Sequence, residues 1–160
     1  ERGTTVHELA ARLDRGWPHL IPLELQRIPQ ELRGYVNSWM KWRMESDFRL
    51  EQIENPVFDL KYNIAGTPDR VGRLPVLKNV RVVVDLKTSN SGQIAPWVRY
   101  QLAAYAMTYP APPQIATVAI SSTEPGRIES HSWDLEEMWA AFCQAKALWY
   151  GPLGPGKALR

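Results

Sequence analysis

The segment VRVVVDLKTS, residues 80–89, constrains this chain more than any other. Its β-branched run predicts a strand, and successive strand side chains point to opposite faces. Val82, Val84 and Leu86 then share one wholly apolar face, while Val83, Asp85 and Lys87 share the other. The second face begins apolar and ends charged. A strand of this kind enters a core and leaves it at a rim, so it is expected at the centre of a covered sheet.

The flanking segments supply the layers. TTVHELAARLDRG predicts a helix with Thr at its N-cap, Val6, Leu9, Ala10 and Leu13 at helical spacing, and Gly16 as its stop. GWPHLIPLELQRIP reads as a Pro-broken connector. PQELRGYVNSWMKWRMESD predicts a second helix with Pro29 near its start and Tyr35, Trp39 and Trp42 on one side. FRLEQIENPVFD and IAGTPDRVGRL each read as one strand. After the central strand come the loop SNSGQIAP, the helix WVRYQLAAYAMTY, and the strands QIATVAISST and GRIESHSW, joined by a turn at Pro125-Gly126. DLEEMWAAFCQAKALWY predicts a last helix, capped by Asp134 and acidic in its first turn. The order α, α, β, β, β, α, β, β, α implies an α/β (α+β) domain over residues 1–150, with a central mixed β-sheet flanked by helices. A flexible Gly/Pro-rich tail is expected over residues 151–160.

Composition excludes several classes. A chain of 160 residues can bury a core without disulfide staples. Its one cysteine, Cys143, rules out an internal disulfide, a Cys-rich zinc site and a Cys-ligated iron–sulfur cluster. A reducing, cytosolic setting fits that usage. No apolar run reaches the length of a membrane span, and the charged start has no signal-peptide core. The missing initiator Met fits a trimmed chain or a fragment. The net charge of +2 is too small to indicate nucleic acid by itself.

An isolated Asp-x-Lys at a strand end is most simply a surface ion pair, worth about 0 to 1 kcal/mol. Asp69, in AGTPD on the preceding strand, changes that balance. Two strands joined by a turn can set Asp69 beside Asp85, and like carboxylates that close repel unless a cation joins them. Carboxylate oxygens suit Mg²⁺ or Mn²⁺, and a neighbouring lysine can orient water or stabilise developing negative charge. Gly66 lets the strand bend or another chain segment approach, or simply marks a bulge. Gln101 and Tyr105 are four apart on one helical face, which is also the spacing of an ordinary side-chain pair. His7 is either a packing residue or the imidazole that completes a carboxylate metal site. Glu8 is its rival but points to another side of the helix. Glu54 is either an acid supporting the site or a plain surface residue. Trp39 and Trp42 suit the core better than a base-stacking platform.

RGTTVHE, AGTPD, VVVDLKTS and YQLAAYA occur in that order, and together they resemble the PD-(D/E)xK nuclease superfamily, in its RecB-type and phage exonuclease-like branch. The resemblance spans roughly residues 2–130. It implies a restriction-endonuclease-like core, with Asp69, Asp85, the Leu86 carbonyl and His7 as ligands of one or two Mg²⁺ or Mn²⁺ ions. Lys87 would be the catalytic lysine, and Gln101 and Tyr105 the helix pair that supports the site or contacts DNA. Relatives that hold an iron–sulfur cluster use four cysteines, so none is expected here. The implied activity is a metal-dependent deoxyribonuclease, an exonuclease of DNA repair, recombination or phage DNA processing, in the cytoplasm of a bacterial or phage-infected cell. The implied partners are DNA and other recombination or repair proteins, with no membrane, and an oligomer is compatible with these residues. The alternatives are a catalytically silent DNA-binding module with the same fold, and an interaction domain in which these pairs are surface chemistry.

Overall fold

The computed structural model describes residues 2–16, 26–89, 93–121 and 128–150. Its elements are helix α1 (Arg2–Arg15), helix α2 (Gln30–Ser46), strands β1 (Arg49–Ile53), β2 (Val57–Asp59), β3 (Ile64–Gly66), β4 (Arg70–Leu74) and β5 (Val80–Thr88), helix α3 (Trp97–Ala106), strands β6 (Gln114–Ile120) and β7 (Ile128–Trp133), and helix α4 (Leu135–Tyr150). A five-stranded mixed sheet runs β1-β4-β5-β6-β7, with β5 and β6 parallel and the other pairs antiparallel. The expected α/β architecture of a central mixed sheet between helices is therefore present. The expected turn at Pro125-Gly126 and the tail over 151–160 lie outside the described residues.

β5 is the central strand, and its alternation sorts two cores as its sequence dictates. Val82, Val84 and Leu86 pack with Val6, Ala10 and Leu13 of α1 and with Val36 and Trp39 of α2. Val83 packs on the other side with Val98, Leu102 and Ala103 of α3. Trp39 and Trp42 lie in the first core with ring centroids 5.2 Å apart. Because β5 and β6 are parallel, the chain must cross over between them, and α3 forms that crossover.

Three local expectations need correction. Two expected strands are four: β1 and β2 are interrupted around Glu54–Pro56, and β3 and β4 around Thr67-Pro68. Glu54 has a positive φ of 47°, and each proline lacks the N–H a ladder needs. The released segments β2 and β3 form a separate two-stranded ribbon. Finally, α1 begins at Arg2, so Thr4 and Thr5 lie within the helix and not at its N-cap position. A Cβ on Gly3 would lie 3.5 Å from the Thr88 hydroxyl, so the first turn of α1 sits close to the end of β5. Asp134 does cap α4, its Oδ1 accepting the Glu137 N–H at 2.7 Å.

Candidate active site

The β4–β5 register builds the site. Arg70 pairs with Val84 across this antiparallel ladder, so Asp69, one residue before β4, comes opposite Asp85. Asp69 Oδ2 accepts the Leu86 N–H at 2.8 Å. The N–H and C=O of one strand residue leave on the same edge. The Leu86 carbonyl is therefore directed toward Asp69 as well. His7 Nδ1, from α1, lies 3.5 Å from Asp69 Oδ1. Lys87, next on the Asp85 face, places its Nζ 2.8 Å from Asp85 Oδ1.

Asp85 is the unusual group. It is only 8% exposed, and its Oδ2 is buried without a hydrogen-bond partner. Burial pushes its pKa up to about 6, the Asp69 charge adds to the rise, and Lys87 opposes both. Burial also acts to raise Asp69, but the His7 hydrogen bond and charge, the Leu86 N–H and the Lys87 ammonium outweigh it and hold Asp69 below the usual carboxylate range. Two adjacent carboxylates thus differ in ionisation, a pattern characteristic of sites that do acid–base or cation chemistry.

Whether these residues fit a divalent ion turns on that orphaned oxygen. A carboxylate oxygen buried without a donor is costly and is satisfied when a cation occupies its free side. Asp69 adjoins it, with the Leu86 carbonyl on the same edge. Among the described residues, no three His, Cys, Asp or Glu side chains converge to form a ready-made cage. Mg²⁺ is commonly held by one or two carboxylates, with water and substrate phosphate filling the remaining positions. The donor set fits that mode.

The remaining expected residues divide. Gln101 donates to the Tyr105 hydroxyl at 2.7 Å. The Tyr105 ring lies so close to Gly66 that a Cβ there would meet Cε1 at 2.2 Å. This close approach, three residues before Asp69, is the reason for glycine at position 66. Glu8 is exposed and lines a separate shallow cleft with Arg12, Arg15 and Glu54. The Glu54 carboxylate pairs with Arg15 at 3.2 Å and lies 3.9 Å from the Arg70 guanidinium. The Glu54 backbone N–H holds the Asp69 carbonyl at 2.9 Å.

Sequence reasoning missed the support beneath Asp69. Arg70 is fully buried, donates to the Asp69 carbonyl at 2.7 Å, and reaches Asp14 Oδ2 of α1 at 2.6 Å. Asp14 also binds Arg43 at 2.5 Å and the Trp39 indole N–H at 3.1 Å. Its seven-residue spacing from His7 puts both on one stripe of α1, a signal that was available. A cavity of about 640 Å³ lies at the opposite end of β5, against Val80 and Val82, and does not include the carboxylate pair.

No known protein family matches the chain, and no curated protein does. Among solved structures it is similar to the crystal structure of SSO0001, with 19% identity over 89% of this chain and 72% of that one, at a TM-score of 0.41. A likeness this loose carries no functional argument.

Proposed function

We propose that this chain is a metal-dependent nuclease that hydrolyses phosphodiester bonds in DNA, acting from an end, with Asp69, Asp85 and Lys87 as its catalytic residues. The observation that carries the reading is the buried Asp85 carboxylate, with one unpartnered oxygen, facing Asp69 at the end of the central strand. The four ordered motifs, and their resemblance to the PD-(D/E)xK exonucleases, supply the substrate class.

Asp69, Asp85 and the Leu86 carbonyl would hold Mg²⁺ or Mn²⁺, with His7 adjoining Asp69. When bound, such an ion supplies a Lewis acid for the phosphate and lowers the pKa of a bound water. Asp85, with a pKa of about 6, is mostly ionised at neutral pH and ready to meet a cation. Lys87, half-buried, puts an ammonium at the same point. There it can donate to a non-bridging phosphate oxygen or hold the attacking water. Arg70 and the Glu54 N–H fix the Asp69 backbone, so its carboxylate stays on the β5 edge. Tyr105, wedged against Gly66 and tied to Gln101, braces the segment leading to Asp69. DNA repair, recombination or phage DNA processing is the setting that suits such an enzyme.

The direct Lys87–Asp85 contact at 2.8 Å favours a second reading, a silent DNA-binding module in which the pair is structural. The orphaned Asp85 Oδ2 favours the enzyme, because a silent module gains nothing from an unsatisfied buried oxygen. End-labelled linear DNA and a closed circular control, each incubated with Mg²⁺, Mn²⁺ or EDTA, separate the outcomes. Metal-dependent loss of the linear form alone supports the exonuclease. Loss of both forms makes it an endonuclease, and loss of neither supports the silent module.

A further inference from the structure

A cleft of about 550 Å³ lies between the β2–β3 ribbon, α3 and α4, and its Tyr105 wall reaches Gly66, three residues before Asp69. Its volume falls within the range of about 300–1,000 Å³ usual for small-ligand sites. Aromatic side chains dominate its walls: Trp97, Tyr100 and Tyr105 from α3, and Phe142 from α4. Trp97 opens α3 yet is 68% exposed, so much of its ring surface is available for contact. The amide of Gln101, on the same wall, donates to Tyr105 and leaves its carbonyl oxygen able to accept.

Charge at the rim points to one kind of occupant. Lys146 Nζ donates to the Tyr62 and Asn63 carbonyls, and Asn63 lines the cleft. Lys61 Nζ sits 4.8 Å from the Tyr62 ring centroid. Lys146 thus sets an ammonium at the Asn63 wall of an aromatic cleft whose Tyr105 also reaches Gly66, three residues before Asp69. Aromatic faces with an accepting amide suit a flat heterocycle, and the Lys146 ammonium at the Asn63 wall suits a phosphate attached to it. We propose that this cleft holds an unpaired nucleobase of a DNA strand whose phosphate lies at the carboxylate site, with Trp97 as its stacking platform. The proposal deepens the nuclease reading and rests on it for the place of the phosphate. It makes the preferred substrate a strand end with at least one base free of its partner.

The test is binding without cleavage. Fluorescence anisotropy in EDTA would follow a labelled single-stranded oligonucleotide, and the same oligonucleotide with abasic positions at its end, on wild type, Trp97→Phe and Trp97→Ala. A stacking platform is worth about tenfold in affinity. Trp97→Ala is expected to weaken binding of the intact strand by that factor, and Trp97→Phe by less. The abasic strand should bind the wild type about tenfold more weakly and should not distinguish it from Trp97→Ala. Equal binding of intact and abasic strands by the wild type overturns the cleft assignment, as does no measurable binding. Intact-strand affinity unchanged in Trp97→Ala also overturns it. Cleavage in Mg²⁺ is scored separately. Trp97-dependent binding without cleavage sinks the nuclease reading and keeps the cleft, whereas cleavage with Trp97-independent binding does the reverse.

Discussion

Replacing Asp85 with asparagine removes a carboxylate that the fold holds ionised at neutral pH against its own burial. In the unfolded chain this group ionises near its ordinary 3.8, and in the fold at about 6. Between those values the folded state keeps a proton that the unfolded state has shed. The resulting stabilisation is present in full below about pH 4, falls as pH rises through the folded value, and is gone above it. A displacement of roughly two pH units, at about 1.4 kcal/mol each, is about 3 kcal/mol in all, of which about 2 kcal/mol falls between pH 4.5 and 8. The asparagine amide keeps an oxygen for Lys87 and does not titrate. The stability of Asp85→Asn relative to wild type should therefore rise by about 2 kcal/mol over that range, or about 4–8 °C in Tm for a chain of this size. Asp69 does not confuse the result: its lowered value contributes stability that is lost only as pH falls below the ordinary carboxylate range. Denaturant titrations of both proteins in EDTA at several pH values measure the difference directly. A wild-type-to-variant difference that stays flat with pH would refute the claim that Asp85 is buried at its own expense.

Mn²⁺ titration by calorimetry should show uptake by the wild type and at least tenfold weaker uptake by Asp69→Asn and Asp85→Asn; equal uptake by all three would remove these carboxylates from the metal site. Gly66→Ala should cost about 1–3 kcal/mol by denaturant unfolding, because its Cβ would strike the Tyr105 ring, and an unchanged midpoint would mean that the ring is not wedged there. Asp14→Asn should destabilise by about 3–5 kcal/mol, since it strips from buried Arg70 the nearer of its two carboxylates and leaves only Glu54 at 3.9 Å; a loss below about 1 kcal/mol would show that Glu54 suffices for Arg70.

What the sequence made legible depended on how local each signal was. The β5 alternation is a period-two pattern in one segment, so it assigned Val82, Val84 and Leu86 to one core and Val83 to the other without further information. The apposition of Asp69 and Asp85 followed from a single antiparallel register. The breaks at Pro56 and Pro68 were visible as prolines, but continuous apolar spacing on either side concealed that each run divides into two strands. Arg70 and Asp14 are 56 positions apart and meet only because α1 lies across the sheet beside α2. Neither residue carries a motif that advertises the contact. The aromatic cleft joins Trp97 to Phe142 across two helices and a ribbon, a neighbourhood that helical spacing within α3 alone does not define.

In the proposed enzyme, Lys87 and the two carboxylates perform phosphodiester hydrolysis. The most direct test is the cleavage of end-labelled linear DNA in Mg²⁺ by purified wild type and Lys87→Ala, with EDTA as the control and circular dichroism to verify that both are folded. Mg²⁺-dependent shortening is expected from the wild type, none in EDTA, and a loss of at least about a hundredfold in the variant, the scale for removing a group that meets developing charge in the transition state. Cleavage by a folded Lys87→Ala protein at the wild-type rate would contradict this role for Lys87.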